Sequence, residues 1–206
     1  MSLLTVSPFV LVLHPGVPAR TLRDLIAAAR AAPGSLSYAS AGTGSVIQLG
    51  MELLKSTADL DIRHVPYKGS APGLTDVLGG HVAMMLFAIP PVVQHVRLDR
   101  LRALAVTGPA RAAQLPEVPT MIESGMKGYE ITTWTGMLAP RNTPAGVVQA
   151  LNQALVQVVR SPDIRAQLDA QGVEAVGGSP EAFAAFLRAE LARNAHIIRA
   201  SGARPG

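Results

Sequence analysis

Cysteine is absent from the 206-residue sequence, which excludes disulfide bonds, thiolate metal sites and cysteine nucleophiles. No apolar run reaches the roughly 18 residues that span a bilayer. Only 4% of the residues are aromatic, which leaves few side chains for base stacking. The 18 Lys and Arg residues exceed the 14 Asp and Glu residues, which gives a net charge of +4. The basic residues form no run, so solvated helix faces explain them and nucleic-acid binding is disfavoured.

The residues that are present are typical of a folded globule, because 49% are hydrophobic and 16% charged. A chain of this length forms one large domain or two lobes. Apolar runs predict strands at 9–14, 36–39, 62–66, 82–87, 101–107, 135–139 and a short one at 173–176. Helical patterns lie between most of them. This alternation predicts an α/β fold with a parallel or mixed sheet covered by helices.

Several helix boundaries are marked by capping residues. Thr21 with Asp24 three residues later predicts a capped helix start. A hydroxyl cap followed by proline at the first helical position is predicted at three further places: Thr143-Pro144, Ser161-Pro162 and Ser179-Pro180. Gly172 and Gly202 are predicted to end the second and third of these helices.

One turn rich in serine, glycine and threonine leads from a predicted strand directly into an apolar helix. It contains Ser40, Gly42, Thr43, Gly44 and Ser45. Glycines allow close approach of the backbone, and free N–H groups at a helix N-terminus favour negative charge. Residues 64–70 (HVPYKGS) repeat the strand–turn–helix order, with Ser70 predicted to cap the next helix. The two turns predict a site that captures a small anion, with no bond made or broken.

These residues also fit other interpretations. The first turn could equally be a strand-to-helix turn that simply needs glycine and a serine cap, and Lys68 of the second turn could be merely solvated. No Gly-Lys-Ser/Thr follows the first turn, no GxSxG elbow exists, and the five histidines have no metal-ligand spacing. No catalytic residue, metal or cofactor is therefore predicted. Two alternatives stay open: an effector-sensing regulatory domain of similar fold, and a hydrolase or transferase that uses Ser45 or Ser70.

The order of motifs resembles the Bug receptors, the extracytoplasmic solute-binding proteins of tripartite tricarboxylate transporters. The matching stretches cover essentially the whole chain: YASAGTGS at 38–45, HVPYKGSAP at 64–72, LRALAVT at 101–107, LPEVPT at 115–120 and WTGMLAP at 134–140. The resemblance implies a type II periplasmic-binding-protein fold, in which two α/β lobes close on a solute. It further implies that residues 12–132 are the complete second lobe, and that 1–11 and 133–206 are a crossing strand and the C-terminal part of the first lobe.

The resemblance also implies a ligand site, a location and partners. Tyr67, Gly69, Ser70, Trp134 and Thr135 would join the glycine-rich turn in binding a small organic acid or amino-acid-like solute. The receptor would work in the periplasm with membrane transporter subunits. We expect that an N-terminal third and the export leader of the parent protein are absent from this chain, that its affinity for solute is weakened, and that it self-associates.

The sequence departs from the usual pattern of these receptors at two positions. Gln48 stands where they usually have histidine, and Ala83 where they usually have an acidic residue. The identity of the solute therefore stays open.

Overall fold

The computed structural model describes residues 2–201, which form two compact units. The smaller unit contains the chain up to Ser7 together with Thr133–Ala195, and the larger unit contains Pro8–Thr132 and the chain from His196 onward. Strand β1 (Ser2–Leu13) and helix α7 (Pro180–Ser201) each belong partly to both units. No helix among the described residues combines the length and apolar character that crossing a bilayer requires.

The larger unit is built on a mixed sheet with strand order β3-β2-β4-β1-β5. Its further strands are β2 (Ser37–Ser40), β3 (Arg63–Pro66), β4 (Met84–Ala88) and β5 (Arg102–Val106). Its helices are α1 (Leu22–Ala31), α2 (Val46–Ala58), α3 (Ser70–Leu78) and α4 (Ile89–Arg97). Strands β3, β2 and β4 run parallel, and β1 pairs antiparallel with β4 and β5. The predicted alternation of strands and helices is thus confirmed in this unit.

The core of the larger unit follows from its continuous apolar runs. The part of β1 from Val10 to Leu13 is fully buried, as are Met84, Met85 and Leu86 of its partner β4. Helix α1 begins where predicted: the Thr21 hydroxyl accepts from the Asp24 N–H at 3.1 Å, and the Asp24 carboxylate accepts from the Thr21 N–H at 3.0 Å. This reciprocal cap satisfies two N–H groups that a helix start leaves without partners.

The smaller unit contains strands β6 (Thr132–Met137) and β7 (Glu174–Ala175) and helices α5 (Ala145–Val159), α6 (Pro162–Ala170) and most of α7. Both β6 and β7 pair with β1. Only Val159 of α5 is buried.

The proline-containing caps are predicted correctly in part. Ser179 caps α7, its hydroxyl accepting from the Ala182 N–H at 3.2 Å. Ser161 occupies the N-cap of α6, but its hydroxyl donates back to the Val158 carbonyl. The prediction for Thr143 is wrong, because Pro144 is the N-cap and the Thr143 hydroxyl donates to the Pro140 carbonyl. Gly172, with φ of +66°, follows α6 as predicted, whereas Gly202 lies outside the described residues.

Two strands are longer than predicted. The run at 9–14 is only the buried second half of β1, which begins at Ser2, and β6 begins at Thr132 instead of 135. Most of the missed residues are polar or only half-buried, so they give no continuous apolar run by which a strand is found in a sequence; the buried Leu3 is an exception.

Candidate anion-binding site

Three helices begin at one edge of the sheet in the larger unit. Because β3, β2 and β4 are parallel neighbours, their carboxyl ends lie at the same edge, and they lead into α3, α2 and α4 respectively. None of these three helices has an acidic residue in its opening turn, whereas α1, α6 and α7 each have one. The partial positive charge of the three N-termini is therefore left unneutralised by nearby carboxylates of their own helices.

The glycine turn, residues 40–45, connects β2 to α2. Gly42 and Gly44 have φ of +124° and +80°, conformations that only glycine adopts readily. A Cβ on Gly42 would lie 3.2 Å from the Tyr67 carbonyl oxygen. Ser45 is the N-cap of α2, its hydroxyl accepting from the Gln48 N–H at 3.3 Å. Thr43 and Gly44 are exposed, so the turn presents backbone and hydroxyl groups to solvent.

The tyrosine turn, residues 64–70, connects β3 to α3. The prediction that Ser70 caps this helix is wrong: the N-cap is Gly69, with φ of +105°, and Ser70 is the first helical residue. No side chain caps α3. Since the third helical residue is Pro72, which has no N–H, the unpaired donors of this opening turn are the amides of Ser70 and Ala71. A Cβ on Gly69 would meet no atom within 4 Å, so space is open beside these donors.

Backbone hydrogen bonds join the two turns. The Tyr67 N–H donates to the Ser40 carbonyl at 3.1 Å, and the Gly69 N–H donates to the Ala41 carbonyl at 3.2 Å. The structure thus brings eight predicted site residues together: Ser40, Gly42, Thr43, Gly44, Ser45, Tyr67, Gly69 and Ser70.

Tyr67 and Lys68 give the tyrosine turn its polar side chains. The Tyr67 hydroxyl donates to Asp76 Oδ2 at 2.5 Å. Burial, and then this bond to a carboxylate, raise the pKa of Tyr67 to about 12, so the phenol is neutral at physiological pH. Lys68 is exposed on the same turn and adds a full positive charge to those of the helix N-termini.

A buried chain of side chains under the glycine turn was not predicted from the sequence. Ser40 is fully buried, with its Oγ 2.6 Å from His64 Nε2. Gln48 Nε2 lies 3.3 Å from His64 Nδ1, and Gln48 Oε1 accepts from the Gly44 N–H at 2.6 Å. The expectation that the whole turn offers free amides is therefore wrong in part, because Gly44 N–H is bonded to Gln48 and Gly42 N–H to Ser40 Oγ.

The donors that remain at the end of β2 are those of the opening turn of α2. Val46 and Ile47 occupy its first two helical positions, which precede the point where an α-helical N–H reaches an acceptor four residues back. The Ser45 and Thr43 hydroxyls lie next to them in the chain. These groups, with the amides of Ser70 and Ala71, are the donors that the edge offers to an anion.

The surroundings of His64 disfavour its protonated form. Its ring stacks on Tyr38 with centroids 4.8 Å apart. Burial lowers the pKa of His64, Glu52 partly opposes that shift, and Lys55 adds to it. The Tyr38 hydroxyl donates to Glu52 at 2.6 Å, and the Lys55 ammonium pairs with the same carboxylate at 2.8 Å. The negative charge of Glu52 is thus already compensated next to the imidazole.

The other two predicted site residues, Trp134 and Thr135, lie on β6 in the smaller unit. Trp134 is half-buried and packs edge-on against Phe183 and Phe186 of α7, with ring centroids 5.9 and 5.5 Å apart. Thr135 is exposed, since successive strand residues point to opposite faces. Of this pair, Thr135 has the side chain that is free to meet a ligand.

One other place with charged side chains does not belong to this site. An open crevice beside the C-terminal half of α2 is lined by side chains of both signs, among them Arg30, Lys55 and Asp61. Within residues 2–201, no three His, Asp or Glu side chains gather closely enough to hold a metal ion.

Comparison with known proteins identifies relatives over nearly the entire chain. The sequence profile of a protein family, described as tripartite tricarboxylate transporter family receptor (TctC), matches residues 1–203. The UPF0065 protein in the tcbD-tcbE intergenic region of Pseudomonas sp. (strain P51) is 40% identical over 192 residues, which is 93% of this chain and 57% of that protein. Protein BugT of Bordetella pertussis is 34% identical over 197 residues, 96% of this chain and 60% of BugT. This chain therefore spans less than two thirds of the length of these relatives.

Solved structures agree with the sequence matches. R. palustris Rpa4515 with adipate superimposes with a TM-score of 0.88 at 33% identity, covering the whole of this chain and 69% of that one. MatC (Rpa3494) from Rhodopseudomonas palustris with bound malate gives a TM-score of 0.76 at 29% identity, covering 97% of this chain and 68% of that one. The α/β fold of periplasmic binding proteins is thereby confirmed. The chain belongs to the tripartite tricarboxylate transporter receptor (TctC) family.

Proposed function

We propose that this chain is part of a periplasmic receptor that captures a small carboxylate solute for a tripartite transporter. The observation that carries the proposal is the edge of the sheet where three helices begin without an acidic residue in their opening turns. A carboxylate placed there is attracted by the helix N-termini and by Lys68. Two relatives of similar structure are described with adipate and with malate, both of which carry carboxylates.

In this proposal, binding consists of hydrogen bonds and charge attraction alone. The carboxylate accepts from the amides of Ser70 and Ala71 and from the Ser45 hydroxyl, whose oxygen already accepts from the Gln48 N–H and whose hydrogen is free to donate. Gly42, Gly44 and Gly69 keep the backbone accessible. Trp134 and Thr135 stay predicted ligand residues, with Thr135 presenting the exposed side chain.

We also propose that residues 12–132, which lie within the larger unit, are the complete second lobe of the receptor. Residues 1–11 and 133–206 are assigned to the crossing strand and the C-terminal part of the first lobe. Because relatives are longer than this chain, the solute, the transporter subunits and the location apply to the whole receptor. Family membership favours this transport role over an effector-sensing one.

The hydrogen bonds argue against a serine hydrolase. The hydrogen-bonded serine–histidine pair is Ser40 with His64, and Ser40 is fully buried. A histidine that activates serine must accept at the nitrogen facing the hydroxyl. Here the Gln48 amide donates to Nδ1, so in the neutral ring Nε2 carries the hydrogen and donates to Ser40. This tautomer is the reverse of the one that a general base requires, so we propose that the chain is not an enzyme.

Titration of the isotope-labelled chain with adipate, malate and citrate tests the proposal. NMR detects weak as well as tight binding, so a reduced affinity of this chain does not hide the result. We expect the amide signals of Thr43, Val46, Ser70 and Ala71 to shift with each acid more than with adipamide, the neutral analogue. Shifts in these residues with adipamide alone, or with none of the solutes, would contradict the proposal.

A matched pair of substitutions isolates the charge. Ser70→Asp places a carboxylate at the first position of α3, where it stabilises the helix but repels an anion, so we expect at least a tenfold weaker carboxylate affinity, which is about 1.4 kcal/mol. Ser70→Asn has nearly the same shape without the charge. Equal losses in the two variants would show that the site does not respond to charge.

The prediction that this chain self-associates has a structural basis in α5. Its side chains Val147, Leu151 and Val158 are exposed, and exposed apolar residues on one helix favour association. Sedimentation velocity over a concentration series checks this prediction. A single monomeric species at every concentration would contradict it.

A further inference from the structure

The side chains under the glycine turn form one directional chain of hydrogen bonds. Gly44 N–H donates to Gln48 Oε1 at 2.6 Å, which fixes the amide so that its NH₂ group faces His64 Nδ1 at 3.3 Å. Nδ1 must then accept, so the hydrogen of the neutral ring is on Nε2, which faces Ser40 Oγ at 2.6 Å. The Ser40 oxygen lies 3.1 Å from both the N–H and the carbonyl of Gly42. Both glycines of the turn are thus held through one imidazole.

Protonation of this imidazole is incompatible with the chain of bonds. A protonated ring carries hydrogen on both nitrogens, so Nδ1–H would face the NH₂ group of Gln48. The amide relieves this by turning its oxygen to His64, and it then presents NH₂ to the Gly44 N–H. Two donors would face each other at 2.6 Å, so the Gly44 bond cannot survive.

The groups around the His64 ring give a proton on Nδ1 no other hydrogen-bond acceptor. From β2, the ring faces Tyr38, whose hydroxyl is committed to Glu52. From α2 come Gln48, Glu52 and Lys55, and the Glu52 carboxylate is paired with Lys55 at 2.8 Å. The charge of Glu52 favours a protonated His64, while burial of the ring and the charge of Lys55 oppose it. The balance lowers the pKa of His64 below its ordinary value of 6.5.

We propose that Gln48 and His64 are positioning residues of the anion site: they hold the glycine turn while the imidazole is neutral and release it when the imidazole is protonated. The effect of this release on solute binding rests on the proposed function. A turn held in place keeps the Ser45 cap and the opening amides of α2 ready for a carboxylate, whereas a released turn must be reordered by the solute, which costs affinity. Solute capture is then strongest above the pKa of His64 and weakens as the pH falls through it.

The experiment measures the turn without any solute. The tautomer and titration of His64 are followed by long-range ¹H–¹⁵N correlation on the labelled chain, and the hydrogen-exchange protection factor of Gly44 is measured over the same pH range. We expect the Nε2–H tautomer at neutral pH, a midpoint below 6.5, and a loss of Gly44 protection of about tenfold, the value of one ordinary hydrogen bond, across that midpoint. His81→Gln, which changes an exposed histidine outside the chain of bonds, is expected to leave the result unchanged.

Gln48→Glu separates this proposal from a merely structural role. A carboxylate accepts from both the Gly44 N–H and a protonated Nδ1, so we expect the His64 midpoint to move above 6.5 and Gly44 to stay protected at pH values where the unmodified chain loses it. Gln48→Leu is expected to lack Gly44 protection at every pH.

The proposal is overturned by a His64 midpoint at or above 6.5 in the unmodified chain, or by Gly44 protection that does not change as His64 titrates. The measurements on the unmodified chain decide this even if a Gln48 variant does not fold. Failure of every carboxylate to bind in the titrations above would contradict the proposed function and leave this result standing. Protection of the Gly44 amide that does not change with pH would contradict only the positioning role of Gln48 and His64, and not the proposed function.

Discussion

Replacing Thr107 by valine is expected to lower the free energy of unfolding of the larger unit by about 2–6 kcal/mol. Thr107 is fully buried, and its hydroxyl accepts from the Phe9 N–H at 2.8 Å and donates to the Ile131 carbonyl at 2.5 Å. Valine has nearly the same shape, so it creates no cavity. It leaves a buried donor and a buried acceptor without partners, and each costs about 1–3 kcal/mol.

Thr107→Ser provides the matched control, because it keeps the hydroxyl and removes only a methyl group, worth about 1 kcal/mol. Urea denaturation gives the stability of each variant, and hydrogen exchange at the Phe9 amide reports on the bond itself. A valine variant as stable as the serine variant, with the Phe9 amide still protected, would show that this hydroxyl does not join β1, β5 and the chain at Ile131.

The core of the larger unit could be predicted because a fully buried strand appears in the sequence as a continuous run of apolar residues. The apolar run at 82–87 predicts a strand, and its residues Met84, Met85 and Phe87 are buried in the core. The first half of β1 was missed because its residues from Leu4 to Pro8 are half-exposed and form no continuous apolar run. Their alternation of apolar and polar residues is the weaker signal of a half-buried strand.

Helix starts are predicted well where a hydroxyl residue stands at the N-cap. Thr21 and Ser179 cap through their hydroxyls, and Ser161 occupies the N-cap of α6 without a side-chain bond to it. Gly69 caps α3 by backbone conformation alone, which explains why the sequence pattern indicates Ser70 instead. The N-cap of α4 is Ala88, with proline behind it and no capping hydroxyl. The third helix start at the candidate site therefore carried no recognisable capping signal.

The two turns of the candidate site could be predicted from the sequence, but the hydrogen bonds beneath them could not. The glycines and hydroxyls of the glycine turn are neighbours in sequence, so their spacing alone indicates a helix start, which the structure has at Ser45. That this helix start binds an anion stays a prediction. Ser40, Gln48 and His64 meet across separations of 24 and 16 residues, which only the pairing of β2 with β3 brings together. The sequence therefore gives no signal that His64 contacts the glycine turn, and only the fold shows its place beneath that turn.

In the smaller unit, Gly136→Ala is expected to lower the free energy of unfolding by about 1–3 kcal/mol, the usual cost of overpacking. A Cβ at this position would lie 2.3 Å from Phe183 Cζ and 3.0 Å from two further ring atoms. Phe183 is itself buried and packs against Trp134. Because an aromatic ring cannot bend away as a flexible side chain can, β6 or α7 must move.

A double-mutant cycle separates this contact from a general weakness of β6. Phe183→Leu alone loses apolar packing, but it also vacates the space that the new methyl group needs. We therefore expect the double variant to be more stable than the sum of the two single effects predicts, by at least about 0.5 kcal/mol. Phe186→Leu is the control, since Phe186 packs on Trp134 but is absent from the contacts of a Cβ at Gly136, so its effect should add to that of Gly136→Ala. Thermal denaturation of the five variants gives the coupling energy of the Phe183 cycle and that of the Phe186 cycle. Additive effects in the Phe183 cycle would show that the close approach of Gly136 to Phe183 does not determine how β6 packs against α7.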